Sequence, residues 1–344
     1  MEAKKSVQTL KSYRTKAIPW SVKLDANEAT VHLLEGFKKT LPNALNRYPD
    51  NHATALRNAA SSYYGVPTKN MIAGNGSSEM LELIFKTYLE AGEKVLSFEP
   101  SFTMYRVFTE IYNGEYVPLN TKAPFDFDVD RIIKEAQKIK PKIIILCSPN
   151  NPTGSVFKPA EIKKVIQNTQ ALIVVDEAYI EFYDPKQSML KYLDTFDRLI
   201  VLRSLSKAFG LAGIRLGFLL ANQALISTMK AVKSPYNLNV LTQAVGQYAL
   251  SQLDIIHEHL IRIKTERDEM ITKLQSLNLE VWPSKGNFIF FKSKQKDLYE
   301  KLVDRGLLIR KFSAPLQDYY RLSLGDKKDN ERCFNTLKEV TKDA

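Results

Sequence analysis

Short apolar runs alternate with helical patterns from about residue 70 to residue 220, and this alternation restricts the possible folds most strongly. The runs are rich in valine, isoleucine and leucine, which is typical of strands buried on both faces of a sheet. Strands that alternate with helices favour an α/β fold, here a large domain with a mainly parallel sheet flanked by helices. The predicted strands are residues 71–73, 94–98, 142–147, 171–175, 199–202 and 216–221.

The pattern changes beyond Pro235. A long helix is predicted there, because apolar residues recur along one stripe and charged residues occupy the opposite face. Short apolar strands follow near residues 288–291, 307–309 and 320–324, and a terminal helix comes after them. We therefore predict three parts. Residues 1–40 form an N-terminal segment that packs with the small domain, residues 41–235 form a large domain, and residues 236–344 form a smaller α+β domain.

Composition limits the partners of the chain. Its 344 residues carry a formal net charge of +11, which alone would suit nucleic acid. However, the 49 basic residues are interleaved with 38 acidic ones, and no zinc-finger or basic-zipper pattern occurs. Only two cysteines are present, so neither a disulfide framework nor a cysteine metal cluster is expected. We expect no nucleic-acid partner and no metal; a solvated basic surface, or the attraction of small anionic molecules, would explain the charge.

The longest apolar runs have the length of strands and fall far short of a membrane span. The amino terminus carries Glu2, Lys4 and Lys5 and lacks the apolar stretch of a secretory signal. The sequence therefore predicts a cytoplasmic protein that has no membrane partner.

Lys207 follows two serines, Ser204 and Ser206, and precedes Arg215 by eight residues. Asp176 stands upstream, directly after an apolar strand. This combination describes a site for pyridoxal phosphate. The lysine would form a Schiff base with the aldehyde, the serines and the arginine would hold the phosphate, and the carboxylate would pair with the protonated ring nitrogen. The alternatives are a surface lysine and a helix N-cap aspartate, and the apolar neighbours of Lys207 favour the sheltered site.

Two further segments place polar residues at the ends of predicted strands. Two glycines precede Ser77 and Ser78 at a helix start, where free N–H groups and the helix dipole favour a phosphate. A loop with a serine N-cap would look the same. Asn151 lies in an Asn-Pro-Thr-Gly turn after another strand, from which its amide would reach the ring hydroxyl oxygen of the cofactor. Tyr179, three residues after Asp176, would donate its phenol to the same oxygen.

Several segments together resemble the fold-type I pyridoxal-phosphate aminotransferases, and more narrowly the histidinol-phosphate aminotransferases. The resemblance runs in order from about residue 23 to residue 325 and so covers nearly the whole chain. It implies a fold-type I transferase fold, a large domain that binds pyridoxal phosphate, and a homodimer with a shared active site. The matching segments are residues 47–50, 74–77, 100–105, 150–154, 176–182, 203–217, 235–237 and 287–288.

The resemblance also implies roles for residues that patterns alone do not single out. Tyr105 would lie over the cofactor ring, and Tyr48 would reach the phosphate of the neighbouring subunit's cofactor. Without the resemblance, Tyr105 would be interpreted as a core tyrosine and Tyr48 as part of a turn. Arg321 and Arg310 match arginines that bind the anionic groups of substrates, although each alone would suit a surface ion pair.

One stretch departs from the pattern of the family. Many members carry a Pro-Gly-Pro-rich loop after Asn-Glu, whereas residues 24–30 run on without it. The loop lies near the substrate end of the site, so its shortening bears on the identity of the substrate. Tyr13 and Asn27 are expected to contact the substrate.

The resemblance implies transamination of L-histidinol phosphate with 2-oxoglutarate, a step of histidine biosynthesis. Lys207 would take the α-proton of the amino donor and return it to the cofactor, while Asp176 keeps the ring protonated. A threonine-phosphate decarboxylase and a broad-specificity aromatic aminotransferase share these cofactor residues and remain alternatives. The non-enzyme alternative is a regulator that binds pyridoxal phosphate. Such proteins usually add a DNA-binding domain, and only about twenty residues precede the matched region.

Overall fold

The computed structural model describes residues 8, 10, 18–31, 33, 34, 37 and 45–342 of the chain. Its strands, in chain order, are β1 (Val22–Leu24), β2 (Met71–Asn75), β3 (Lys94–Glu99), β4 (Glu115–Asn120), β5 (Ile143–Cys147), β6 (Leu172–Asp176), β7 (Leu199–Ser204), β8 (Leu216–Ala221), β9 (Glu280–Val281), β10 (Phe288–Lys292), β11 (Leu307–Lys311) and β12 (Tyr319–Ser323).

Helices cover and connect these strands. The α-helices are α1 (Thr54–Tyr64), α2 (Gly76–Tyr88), α3 (Met104–Ile111), α4 (Val129–Ile139), α5 (Pro159–Asn168), α6 (Gln223–Val232), α7 (Val240–Ala249), α8 (Leu253–Gln275), α9 (Leu298–Asp304) and α10 (Lys327–Lys342). Short 3-10 helices occupy Thr68–Asn70, Ile180–Phe182, Pro185–Gln187, Met189–Tyr192 and Ala212–Ile214. No helix among the described residues combines the length and the apolar character that a membrane crossing requires.

The larger sheet has seven strands in the order β2-β8-β7-β6-β5-β3-β4. The strands from β7 to β4 are parallel, whereas β8 runs antiparallel to both of its neighbours, β2 and β7. All six strands predicted from the apolar runs are present, and their bounds differ by no more than two residues at either end. The α/β fold with a mainly parallel sheet is confirmed.

These strands are buried on both faces of the sheet, and for this reason their sequences are continuous apolar runs. Every residue of β5, β6 and β7 is buried. Alternate side chains of β5 enter different cores: Ile143 and Ile145 pack on one face of the sheet, and Ile144 and Leu146 pack on the other. Helices therefore have to cover both faces, as the alternating pattern of the sequence predicted.

A second, five-stranded sheet has the order β1-β11-β12-β10-β9. The strand β1 pairs in parallel with β11, and the other pairs are antiparallel. The N-terminal part of the chain therefore joins a sheet whose other strands lie beyond residue 279. Domain limits near residues 40 and 235 stay a prediction.

Three strands were not predicted, and each has a physical reason. The strand β9 has only two residues, which carry no periodic pattern. The strand β4 lies at the edge of the large sheet and contains Pro118, which cannot donate a ladder hydrogen bond and is confined to such positions. The strand β1 has only three residues, which is too short for any periodic pattern. Its pairing with β11 carries the following residues, 25–28, toward the large sheet.

One edge of the large sheet collects the polar residues. The parallel strands β5, β6 and β7 end there at Cys147, Asp176 and Ser204. Because β8 is antiparallel, it starts at this edge, directly after Arg215. The register places Ser204 opposite Gly217, and Asn75 at the end of β2 opposite Leu216. Residues far apart in sequence thus converge at the carboxyl ends of the strands, where α/β sheets bind ligands.

Candidate active site

Lys207 lies in the turn after β7 and is partly buried. Its Nζ donates a hydrogen bond of 3.1 Å to the backbone oxygen of Ala26. Burial lowers the pKa of Lys207 from 10.5 to about 8; the positive charges of Arg321 and Arg215 act in the same direction, and Glu28 opposes them. A lysine of this kind is partly neutral near physiological pH and is therefore a nucleophile and a base.

Hydroxyls and a guanidinium lie together on one side of Lys207. Nη1 of Arg215 lies 3.4 Å from the hydroxyl oxygen of Ser206, to which it donates. The hydroxyl oxygen of Ser204 accepts the backbone N–H of Ser206 at 3.1 Å. Both serines are buried at the end of β7. The turn therefore presents hydroxyl groups next to a positive charge, as predicted.

The start of α2 closes the same corner. Gly76 has a φ of +77°, and a Cβ atom there would come within 2.6 Å of Nη2 of Arg215. A Cβ atom on Gly217 would lie 2.3 Å from the backbone nitrogen of Ser77. Only glycines let the helix start, β8 and the guanidinium approach so closely. Ser77 and Ser78 lie in the first turn of this helix, where free N–H groups favour an anion such as a phosphate.

Asp176 ends β6 and is buried. Its Oδ2 accepts a hydrogen bond of 2.8 Å from the hydroxyl of Tyr105, and its Oδ1 accepts the backbone N–H of Ala178 at 3.1 Å. Burial raises the pKa of Asp176 above its usual value, although both hydrogen bonds act in the opposite direction. The next helical turn begins at Ile180, so the aspartate closes a turn and does not cap a helix. A positive charge beside it would stabilise its ionised form.

Tyr105 was expected over the ring of a bound cofactor. In the structure its side chain is fully buried in α3, beneath the edge of the sheet, with its hydroxyl on Asp176. Its ring meets that of Phe102 edge to face, with 5.6 Å between the centroids. The tyrosine is thus at the predicted site through its hydroxyl, and its stacking role stays a prediction.

Asn151 and Tyr179 were expected to share one ring oxygen of the cofactor. In the structure Asn151 is bonded to a residue of the second sheet, and Tyr179 is bonded to a residue of the segment that follows β1. Oδ1 of Asn151 accepts a hydrogen bond of 2.6 Å from Nη1 of Arg321. The hydroxyl oxygen of Tyr179 accepts one of 3.1 Å from Nδ2 of Asn27. Burial raises the pKa of Tyr179 to about 12, so the phenol keeps its proton and can donate it in a hydrogen bond.

Arg321 is buried in β12 and connects the two sheets. Besides its bond to Asn151, its Nη2 donates a hydrogen bond of 2.6 Å to the backbone oxygen of Asp25. Its guanidinium carbon lies 5.7 Å from the centre of the Phe288 ring. A guanidinium fixed in this way presents a rigid positive charge beside Lys207, which suits a carboxylate or a phosphate of a substrate.

Two predicted site residues that the structure describes, Arg310 and Tyr48, do not join this cluster. Arg310 is exposed on β11, where it lies opposite Arg321 in the antiparallel pair. Tyr48 is 81% exposed, and its ring stacks on that of Tyr236 with 4.6 Å between the centroids. Tyr13 lies outside the described residues.

Sequence reasoning missed a buried ion cluster next to the site. Arg203 donates from Nη1 to Glu177 at 3.2 Å and from Nη2 to Glu181 at 2.5 Å. All three side chains are buried, and the guanidinium lies 4.8 Å from the ring centre of Tyr64. Charged residues within an apolar run could have indicated this cluster, because a buried charge needs a partner.

Backbone acceptors and small polar side chains were missed as well. The backbone oxygens of Asp25 and Ala26, and the side chains of Asn287 and Ser323, hold residues of the site. Sequence patterns do not single out backbone oxygens. Among the described residues, no group of three or more histidine, cysteine, aspartate or glutamate side chains is arranged to hold a metal.

Comparison with known proteins identifies the family. The model of the family "Aminotransferase class I and II" matches residues 21–337. The chain belongs to this family. Membership confirms the aminotransferase activity and the cofactor predicted from the sequence, pyridoxal 5'-phosphate. The corner formed by Arg215, Ser206 and the start of α2, together with Asp176 and Lys207, fits this cofactor.

Relatives within the family match nearly the whole chain. A histidinol-phosphate aminotransferase from Caldanaerobacter subterraneus subsp. tengcongensis is 35% identical, and one from Thermoanaerobacter sp. is 38% identical; each alignment covers 98% of both chains. Among solved structures, the histidinol-phosphate aminotransferase from Sinorhizobium meliloti, in complex with pyridoxal-5'-phosphate, superposes with a TM-score of 0.91. It is 21% identical over 98% of this chain and 97% of its own, so this likeness concerns the fold.

Proposed function

We propose that this aminotransferase transfers the amino group of L-histidinol phosphate to 2-oxoglutarate, a step of histidine biosynthesis. The observation that carries the proposal is the match to relatives named histidinol-phosphate aminotransferase, at 35–38% identity over 98% of the chain. A biosynthetic reaction on small charged metabolites suits a cytoplasmic enzyme, and cell fractionation would test this location.

The position of Arg321 supports the choice of substrates. Histidinol phosphate carries a phosphate where glutamate and 2-oxoglutarate carry a carboxylate. A guanidinium can bind either group through two parallel hydrogen bonds. Arg310 on the neighbouring strand would add a second positive charge, and Asn27 would also contact the substrate. Both substrates would therefore use one anion site.

The residues at the strand ends would hold the cofactor. Pyridoxal phosphate, when bound, supplies a ring that accepts electrons from the substrate. Asp176 would carry its negative charge against the ring nitrogen, with Tyr105 holding the carboxylate in place and lying near the ring. Asn151 and Tyr179 would donate hydrogen bonds to the ring oxygen. The phosphate would be held by a set of polar groups: Ser77, Ser78, Ser204, Ser206 and Arg215.

Lys207 would act as the base that accepts the α-proton of the amino donor on its Nζ. Because burial lowers its pKa to about 8, much more of the amine is neutral near neutral pH than in an ordinary lysine. The backbone oxygen of Ala26 holds this amine at 3.1 Å, on the side of the site where Arg321 would bind the substrate.

A homodimer would complete the site. Among the described residues, Tyr48 is the most exposed large apolar one, and it stacks on the half-exposed Tyr236, so their rings offer an apolar surface to a second copy. Tyr48 would reach the phosphate bound by the partner subunit. Sedimentation that shows only a monomer at micromolar concentration would contradict this part of the proposal.

A panel of amino donors tests the substrate assignment. The protein is loaded with pyridoxal phosphate, and each donor's conversion of the cofactor is followed by absorbance. The donors are L-histidinol phosphate, L-glutamate, L-phenylalanine and O-phospho-L-threonine, and carbon dioxide is measured in parallel. We expect the highest kcat/KM with histidinol phosphate and no carbon dioxide. Faster conversion of phenylalanine, or carbon dioxide from phosphothreonine, would refute the assignment.

The decarboxylase control is needed because the fold does not separate the two reactions. An L-threonine-O-3-phosphate decarboxylase from Porphyromonas gingivalis superposes with a TM-score of 0.79 at 21% identity.

A further inference from the structure

Residues 25–27 form a strap across the site, held by three consecutive backbone oxygens. The oxygen of Asp25 accepts a hydrogen bond of 2.6 Å from Arg321, that of Ala26 one of 3.1 Å from Lys207, and that of Asn27 one of 3.2 Å from Asn287. The strap thus contacts both the lysine and the arginine of the proposed reaction. A residue that holds the strap in place therefore also fixes the relative positions of the Lys207 and Arg321 side chains.

Ser323 fixes the strap from the end of β12, two residues after Arg321. Its hydroxyl oxygen accepts the backbone N–H of Asn27 at 2.8 Å and donates to Oδ1 of the same residue at 2.9 Å. Ser323 and Asn27 are both buried, so no water competes for these bonds. Asn27 has a φ of +53°, a left-handed conformation that asparagine adopts more readily than most residues.

The amide of Asn27 is hydrogen-bonded at both ends. Because Oδ1 accepts from the serine, the other end of the amide, Nδ2, is the donor, and it reaches the hydroxyl oxygen of Tyr179 at 3.1 Å. The phenol oxygen then has one acceptor site filled, so its own proton points elsewhere. Tyr179 is thereby prepared as a hydrogen-bond donor.

We propose that Ser323 is a positioning residue for transamination: through Asn27 it keeps the hydroxyl of Tyr179 turned as a donor toward the cofactor. It also holds the strap against Lys207 and Arg321. This inference rests on the proposed function, since it assigns Tyr179 to the ring oxygen of pyridoxal phosphate. Ser323 itself lies behind Asn27 and acts through it.

The charges around Tyr179 have to stay constant in a test of this inference. The titratable groups that act on Tyr179 are Arg321, Cys147 and Asp176, and the ammonium of Lys207 lies 5.9 Å from its ring centre. Ser323→Ala, Ser323→Thr and Asn27→Gly leave all four unchanged. Ser323→Thr keeps the hydroxyl on a residue type that strands accommodate well. Asn27→Gly removes the amide and tolerates the left-handed φ.

The first readout is the pH midpoint of the visible absorption of the protein loaded with pyridoxal phosphate. A donor to the ring oxygen stabilises its ionised form and so lowers the midpoint. Loss of one hydrogen bond should raise the midpoint by about 0.5 to 1 pH unit in Ser323→Ala and in Asn27→Gly. Ser323→Thr should titrate like the wild type.

The second readout needs no cofactor. Hydrogen exchange of the backbone N–H of Asn27 in the apoprotein should accelerate at least about tenfold in Ser323→Ala, since its acceptor is lost, but not in Ser323→Thr. If Ser323→Ala fails to fold, Asn27→Gly carries the test through the absorption midpoint.

The outcomes separate this inference from the proposed function. Wild-type midpoints in both Ser323→Ala and Asn27→Gly would overturn the positioning role while leaving the enzyme intact. A wild-type protein that shows no visible absorption with pyridoxal phosphate would instead overturn the proposed function, and the inference with it. Raised midpoints in both variants, with Ser323→Thr unchanged, would establish the role of the serine.

Discussion

Arg321 and Asn151 are 170 residues apart in the chain, yet Nη1 of the arginine donates a hydrogen bond of 2.6 Å to Oδ1 of the asparagine. An arginine can only donate, so this bond also settles which end of the amide faces it. The residue proposed to bind the anion of the substrate is therefore joined to a residue proposed to contact the cofactor. Binding of the substrate's anionic group at Arg321 is therefore linked to the orientation of the Asn151 amide toward the cofactor.

Arg321→Lys should raise KM for histidinol phosphate and for 2-oxoglutarate alike, by about 10- to 100-fold, because a lysine cannot make two parallel charged hydrogen bonds. Steady-state kinetics with each substrate would measure this. Arg310→Lys is the matched control: Arg310 is exposed, so its replacement should raise KM less. An equal or larger effect of Arg310→Lys would reverse the order of importance inferred for the two arginines.

Asp176→Asn should lower kcat by about 100-fold or more, because a neutral amide cannot stabilise a positive ring nitrogen. The thermal midpoint should change little, since the amide oxygen can still accept the backbone N–H of Ala178, and the amide nitrogen can donate to the hydroxyl oxygen of Tyr105. Tyr105→Phe removes one hydrogen bond to the carboxylate and should cost less activity. Turnover by Asp176→Asn close to that of the wild type would remove the aspartate from its assigned role.

Arg203→Met should destabilise the protein by about 3 to 5 kcal/mol, because it leaves Glu177 and Glu181 buried without their cation. Urea unfolding of the apoprotein would measure the loss. Lys164→Met breaks the exposed pair with Asp130, in which both side chains are at least half exposed, and should change stability by less than about 1 kcal/mol. Similar losses in the two variants would show that burial does not set the strength of these pairs.

The lowered pKa of Lys207, about 8 in the folded protein against 10.5 for a free lysine, makes the unfolded chain bind the proton more tightly. Burial of the ammonium therefore costs stability below pH 8, and this cost disappears as the pH rises toward 10.5. Lys207→Met should raise the free energy of unfolding above that of the wild type, and this increase should be about 1 to 3 kcal/mol larger at pH 7 than at pH 10.5. Urea unfolding of the two apoproteins at both pH values would measure this. A difference between them that is independent of pH would contradict the lowered pKa.

Much of the fold follows from local patterns in the sequence. The buried strands β5 to β8 are continuous apolar runs, and α5 begins with Pro159, at a position that proline favours. Asp176 and Lys207 were found because polar residues directly after such strands must gather at one edge of the sheet. The edge strand β4 and the three-residue β1 were not found, since neither carries a periodic apolar pattern.

The tertiary contacts of the site could not be predicted in the same way. The bonds from Arg321 to Asn151 and from Asn27 to Tyr179 join residues more than 150 positions apart, and they depend on how the two sheets meet. The strap is held through backbone oxygens, which every residue type possesses. The exposure of Arg310 depends on the register between β11 and β12, and an apolar pattern does not define that register.

Reduction with borohydride, after the protein has been loaded with pyridoxal phosphate, fixes the cofactor on the lysine that holds it and so shows whether Lys207 forms the Schiff base. Peptide mapping by mass spectrometry then locates the label. We expect one label per chain, on Lys207, and no label in Lys207→Ala. A label on a different lysine, or an unlabelled wild-type protein, would contradict it.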